Sequence, residues 1–300
     1  MVVFATIKEK GASLRPGQGY TGLLWKMNNK AIVKYPGSKW SIAKWIIDFF
    51  PEHHSYLEPF FGSGAVLFNK PRSHIETVND LDGDVVNLFE WIKKDPERLA
   101  REIYYTPYAR QVYEEAFNRI PGNSLYRAVN FCIRLNMGYG FRTNGEKVGW
   151  KNDIQGRERG YAVKDWTELP ERLTEAAERL RGVQIECRPA VEVIQRFNYS
   201  NVLIYADPPY LLETRISKRK QYRKEMTDTD HAELLEVLKA HKGPVIVSGY
   251  DSELYREALK SWHREENFSR SQGGSKTKEI LWMNFEPAHQ MELDFLGDLP

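Results

Sequence analysis

The run Val202-Leu203-Ile204-Tyr205-Ala206, followed at once by Asp207-Pro208-Pro209-Tyr210, constrains the fold of this chain more than any other stretch. A short, unbroken apolar run reads as a strand buried in a parallel sheet. Two prolines directly after it lack the N–H that would extend a ladder, so the strand must stop there. Their carbonyls form a stiff rim of acceptors around the Asp207 carboxylate, with the Tyr210 ring beside it. Such a rim suits an exocyclic amine on a flat heterocycle. Taken alone, the tetrapeptide is also consistent with a tight turn that ends a buried strand.

The rest of the chain alternates in the same sense. Ile42, Trp45, Ile46, Ile47 and Phe49 give residues 41–50 a helical face, preceded by the glycine-bearing loop Lys34 to Trp40. Tyr56 to Phe68 reads as a strand, a glycine turn and the start of a helix. Thr77-Val78 leads into Asn79-Asp80-Leu81-Asp82, and Val85 to Lys93 has helical spacing, which completes a βαβ unit. Helical patterns then dominate: Leu99 to Tyr105, Ala109 to Ile120, Ser124 to Leu135 and Pro170 to Arg181. Between them, residues 136–160 are rich in Gly, Asn, Arg and Lys and predict an exposed loop or hairpin. Strand and helix signals return with Val183 to Cys187, Val191 to Phe197, Val202 to Ala206, Thr229 to His241 and Val245 to Val247. A last strand, Glu279 to Asn284, is expected antiparallel at the sheet edge after a Gly273-Gly274 turn. The class is therefore α/β. The divisions are an N-terminal extension, 1–30, a core made of 31–94 and 183–300, and a helical insert, 95–182.

At 300 residues and 41% hydrophobic, the chain can bury a sizeable core. A net charge of +2 and a pI near 8.3 are too mild to argue for nucleic acid, so local patches must carry that case. Cys132 and Cys187 lie far apart without ligand spacing, which predicts neither a disulfide framework nor a metal site and makes a reducing cytoplasm the default. No apolar targeting segment or membrane-length run occurs, so secretion and membrane association are not expected.

The Glu58-to-Gly64 turn lies where open α/β sheets place their ligands, at the C-terminal end of a core strand. Gly62 and Gly64 allow close backbone approach, yet the turn is neither GxGxxG nor a P-loop, so a nucleoside fits better than a dinucleotide. Asp80, at the end of the next strand, is the expected partner of ribose hydroxyls, with Asp82 and Asp84 as competitors. A tight βα connection and an ordinary helix cap are the plainer readings of these two features. Lys218, Arg219, Lys220, Arg223 and Lys224, interleaved with Tyr222, form a basic loop just past the prolines and predict phosphate contacts. Arg134, Arg142, Asn144, Lys147 and Arg157 are weaker candidates for base or phosphate contacts. Ser248-Gly249-Tyr250-Asp251 either lines the pocket or caps a helix through Asp251 or Ser252.

Four motifs in order resemble the Dam-like DNA adenine-N6 methyltransferases: Lys34-Tyr35-Pro36-Gly37-Ser38-Lys39, Leu57 to Gly64, Asn79-Asp80 and Asp207 to Tyr210. Ser271 to Lys276 fits more loosely. The resemblance covers most of residues 31–285 and implies a Rossmann-like methyltransferase fold, S-adenosylmethionine as cofactor and double-stranded DNA as partner. By it, Tyr35, Lys39, Glu58, Pro59, Phe60, Gly62, Ser63, Gly64 and Asp80 hold the methyl donor, bordered by Asp207. Asp207, Pro208, Pro209 and Tyr210 hold the extruded target base. The insert is then the target-recognition domain, and a companion restriction endonuclease is a further partner such enzymes admit. The long N-terminal extension and the 138–160 region depart from the best-known members. Tyr210→Phe is expected to preserve base capture. A methyltransferase for another planar amine, such as cytosine N4, an RNA base or a glutamine amide, shares the acceptor rim. A non-catalytic DNA-binding module is the more distant alternative.

Overall fold

The computed structural model describes residues 31–118, 122–140, 142–152, 161–215, 220–270 and 276–287. The expected N-terminal extension, the Gly273-Gly274 turn, Arg157, Lys218 and Arg219 lie outside these residues. In chain order, α1 (Ala43–Ile47), β1 (Ser55–Glu58), α2 (Ala65–Asn69), β2 (Ile75–Asn79) and α3 (Gly83–Lys94) form the first half of the core. Helices α4 (Pro96–Tyr104), α5 (Arg110–Glu115), α6 (Ser124–Met137), α7 (Tyr161–Thr167) and α8 (Leu169–Leu180) follow. The second half contains β3 (Gln184–Glu186), α9 (Ala190–Arg196), β4 (Val202–Ala206), α10 (Asp228–Lys239), β5 (Val245–Gly249), α11 (Glu253–Ala258), β6 (His263–Arg270) and β7 (Lys276–Met283).

Among the described residues these strands make one sheet in the order β3-β2-β1-β4-β5-β7-β6, with β1 to β5 parallel and β7 antiparallel to both its neighbours. Strand order reverses between β1 and β4. The crevice beyond their C-terminal ends is where an open α/β sheet takes a ligand. Both strands are buried along their whole length, β4 as an unbroken apolar run and β1 with the polar Ser55 and Glu58 at its two ends.

Local sequence fixes the helix starts. Asp82 caps α3 by accepting from the Asp84 amide at 2.9 Å, Asp95 precedes Pro96 at the head of α4, and Thr227 and Asp230 form a reciprocal capping box on α10. Ser252, rather than Asp251, caps α11. The helices of the 95–182 stretch pack through Leu99, Ile103, Phe131, Leu173 and Leu180 into one apolar cluster with Phe89 of α3 and Val78 of β2.

A buried ionic group pins this layer to the sheet. Glu76 of β2 takes Arg179 of α8 bidentately at 2.6 and 2.8 Å, and Lys70 at 2.7 Å. Burial lowers the Lys70 ammonium to about 8, although Glu76 opposes it. One expectation is corrected here: β7 is not the sheet edge, because β6 pairs outside it along its whole length. The sequence of β6, His263-Arg264-Glu265-Glu266-Asn267-Phe268-Ser269-Arg270, has no apolar alternation because an edge strand tolerates charge on the solvent side. Among the described residues, no helix is long and apolar enough to cross a membrane.

Candidate active site

The glycine turn after β1 is shaped by two left-handed residues, Gly62 at φ 50° and Gly64 at φ 68°. A side chain at Gly62 would stand 3.0 Å from the Tyr35 ring, and one at Gly64 would stand 2.6 Å from both Phe61 and Phe68. The turn is tied to β2 by the Phe61 amide, which donates to the Asn79 carbonyl at 2.9 Å. Asn79 also donates to Pro59 O at 2.9 Å and Arg188 O at 3.0 Å, and so fixes two walls of the crevice.

Asp80 accepts from the Gly62 amide and the Asp82 amide, each at 2.8 Å, which aims its carboxylate across the turn. Burial pushes its carboxyl up to about 7, against the pull of those two amides. Glu58, buried at the end of β1, accepts the Tyr56 hydroxyl at 2.8 Å and is pushed up to about 8 by burial. Ser63 meets Ser38 through their hydroxyls at 2.8 Å, joining the turn to the loop before α1. A cavity of about 350 Å³ opens here, and Pro59, Phe60, Asp80, Asp82, Asp207 and Pro209 are among the residues that line it.

The corner after β4 is held from three directions. Asp207 Oδ1 accepts from Ser248 Oγ of β5 at 2.9 Å, and Oδ2 lies 3.0 Å from Lys39 Nζ. Arg215, itself buried, donates to the Tyr210 carbonyl at 2.9 Å and is anchored by Glu225 at 2.6 and 2.9 Å. The Tyr210 hydroxyl donates to Glu279 of β7, and its ring meets Tyr250 edge-on at 4.5 Å. Burial favours the neutral Lys39 amine, but Asp207 and Glu279 outweigh it and hold the Lys39 pKa above the ordinary lysine value.

The structure therefore brings Tyr35, Lys39, Glu58, Pro59, Phe60, Gly62, Ser63, Asp80 and Asp207 around one cavity. Gly64 stands behind it as the α2 cap, and Pro208 and Tyr210 lie outside its lining. Several residues expected at DNA are turned inward. Tyr222 lines the cavity, with its hydroxyl donating to Pro36 O at 3.1 Å and its ring 6.0 Å from that of Tyr35. Arg223 pairs with Asp82 at 3.2 Å and Asp84 at 2.5 Å, and Arg134 pairs with the same Asp84 at 3.1 Å.

Arg142 pairs with Glu146, while Asn144 donates to the Lys220 carbonyl at 3.0 Å. With the Thr143 amide on Gln221 O at 2.9 Å, this zips the segment after α6 to the segment that follows the prolines. Lys147, Lys220 and Lys224 have exposed side chains. Sequence reasoning missed Glu279, which meets Lys39 and Tyr210, and also Glu225 and the start of α9, Pro189 to Glu192, which line the cavity. A lone carboxylate heading the apolar run Ile280-Leu281-Trp282-Met283 was the available signal for the first.

With its crevice at the reversal of strand order and a closing antiparallel strand, the core has the Rossmann-like methyltransferase fold. Residues 35–272 match the model of the D12 class N6 adenine-specific DNA methyltransferases, and the chain belongs to that family, whose enzymes methylate adenine in DNA. Among its relatives, the DNA adenine methylase of Salmonella typhimurium is 28% identical over 242 residues, covering 76% of this chain and 84% of its own. That of Vibrio cholerae is 25% identical over 277 residues, covering 86% and 96%. That of Escherichia coli K12 is 27% identical over 246 residues, covering 76% and 84%.

Proposed function

We propose that this DNA adenine methyltransferase uses S-adenosylmethionine, acts on an adenine turned out of the duplex, and selects its site through the 95–182 insert. The cavity suits a cationic, hydroxyl-bearing nucleoside. Glu58, Asp80 and Asp82 line it, and the buried Asp82 Oδ2 has no hydrogen-bond partner. Asp80 would take the ribose hydroxyls, Pro59 and Phe60 would pack on the base, and the Gly62-Ser63 backbone would border the methionine end. When bound, S-adenosylmethionine supplies a methyl group on a sulfonium centre, ready for in-line transfer.

The residues of this chain do the rest. Extruding a base costs a few kcal/mol, and stacking on Tyr210 returns roughly 1–3 kcal/mol. Asp207 and the Pro208 carbonyl accept the two N6 hydrogens. That draws the nitrogen lone pair out of conjugation and steadies the positive charge that develops on it. Lys39 and Ser248 fix the Asp207 carboxylate before the base arrives, so alignment is built in. The proton that N6 sheds leaves through the acceptor at Asp207.

The exposed Lys147, Lys220 and Lys224 would contact the DNA backbone, together with Lys218 and Arg219, which precede Lys220 in the sequence. The cytoplasm, with or without a companion endonuclease, is the expected setting. The observation that carries this reading is that Asp207 and Asp80 line the same cavity. Calorimetry with S-adenosylmethionine, followed by transfer of its labelled methyl to duplex DNA, tests it. Binding and adenine-N6 label are expected, and label on cytosine or on RNA alone would reject it.

A further inference from the structure

β7 runs against the parallel strands, so its N-terminal half arrives where the other strands deliver their ligand-facing turns. That half carries Glu279, whose side chain is 5% exposed. A carboxylate so placed must find donors and a counter-charge. Glu279 Oε1 accepts the Tyr210 hydroxyl and lies 3.7 Å from Lys39 Nζ. The same ammonium is 3.0 Å from Asp207, donates to Gly37 O at 2.7 Å, and lies 4.7 Å from the centre of the Tyr210 ring. Two carboxylates and an aromatic face thus share one cation.

We propose that Glu279 is a positioning residue for methyl transfer, which as a carboxylate draws Lys39 and the Tyr210 hydroxyl into one arrangement and keeps the base seat net negative. The inference rests on the reading of Asp207 to Tyr210 as that seat. With both carboxylates charged against a single ammonium, one negative charge is uncompensated. Positive charge moves onto the target nitrogen as its new N–C bond forms, so the ionised seat favours the transition state. Glutamine keeps the shape and one acceptor, but not the charge.

Burial pushes Glu279 up to about 7, opposed by Lys39 and reinforced by Asp207. Tyr205 of β4 also feels its charge. On β6 its cross-strand partner is the uncharged Asn267, and Glu265, two residues along, is taken up by His263 at 2.8 Å.

Single-turnover methyl transfer, measured from about pH 6 to about pH 9 with saturating S-adenosylmethionine and duplex DNA, tests the role. Saturation removes the pH dependence of donor binding from the profile, and the comparison with Glu279→Gln isolates the part that Glu279 contributes. The wild-type rate is expected to climb to a plateau through neutrality. Glu279→Gln should lose that limb and fall roughly 10-fold or more on the plateau. Tyr210→Phe, which removes a donor to Glu279, should move the limb to higher pH and serves if the glutamine variant does not fold. An intact limb in Glu279→Gln, whether or not the rate is uniformly lower, overturns the inference, as does an unmoved limb in Tyr210→Phe. In the same assay, activity in Asp207→Ala would show that the base seat itself is misplaced. Inactivity there beside a wild-type profile for Glu279→Gln would remove the inference alone.

Discussion

Lys39 of the loop before α1 stands 3.0 Å from Asp207 of the corner after β4, so the two halves of the core meet in one ion pair inside the site. Truncating the cation leaves Asp207 and Glu279 without it. Lys39→Met is expected to cost about 3–5 kcal/mol of stability and most of the methyl transfer. The penalty needs the Glu279 carboxylate charged, so it should grow as the pH rises through about 7 and shrink in acid. Chemical denaturation of both proteins at acid and alkaline pH checks this, and a pH-independent difference would contradict it.

At Glu58 burial opposes stability instead. Its unfolded carboxyl ionises near 4.5, whereas burial delays ionisation to about 8 in the folded protein. Folding stability is therefore lost as the pH rises from about 4.5 to about 8, and the full loss persists above that. Glu58→Gln should melt ~2–4 °C higher than wild type on the alkaline side and coincide with it in acid, while binding the methyl donor more weakly. Melting curves at the two extremes decide.

Gly64 combines a left-handed φ of 68° with two phenyl rings 2.6 Å from any added Cβ. Gly64→Ala should cost about 2–4 kcal/mol in denaturant midpoint analysis. Gly182, also left-handed at φ 85° but with open space around it, should cost only about 1 kcal/mol on the same substitution. Equal penalties would contradict the packing described for the turn.

Arg223 and Lys224 are neighbours with different work. Arg223 is paired with Asp82 and Asp84, so Arg223→Gln should lower the melting temperature by a few degrees, roughly, and leave the salt slope of DNA binding nearly intact. Lys220→Gln with Lys224→Gln should leave melting unchanged and reduce that slope by ~1–2. Binding measured across a salt series separates the two sets.

These contrasts mark how far the sequence could be read. β4 and its corner were legible because an apolar run that ends on two prolines leaves little freedom. The glycine turn and Asp80 were legible as the ends of adjacent strands, and the structure puts Gly62, Ser63 and Asp80 around one cavity. β6 was not, because an edge strand that carries charge has no period to detect. Tyr222 and Arg223 looked like surface in a basic run, and only tertiary contact with Pro36, Asp82 and Asp84 turns them inward. Glu279 was hidden because its partners, Lys39 and Tyr210, lie far away in the chain.

In the proposed mechanism the corner after β4 seats the amine and the cavity beside it seats the donor. That arrangement is tested most directly by Asp207→Ala in a single-turnover assay of methyl label on adenine N6, with S-adenosylmethionine binding measured on the same sample. The rate is expected to fall at least ~10³-fold while the donor still binds. Label transferred at close to the wild-type rate would contradict it.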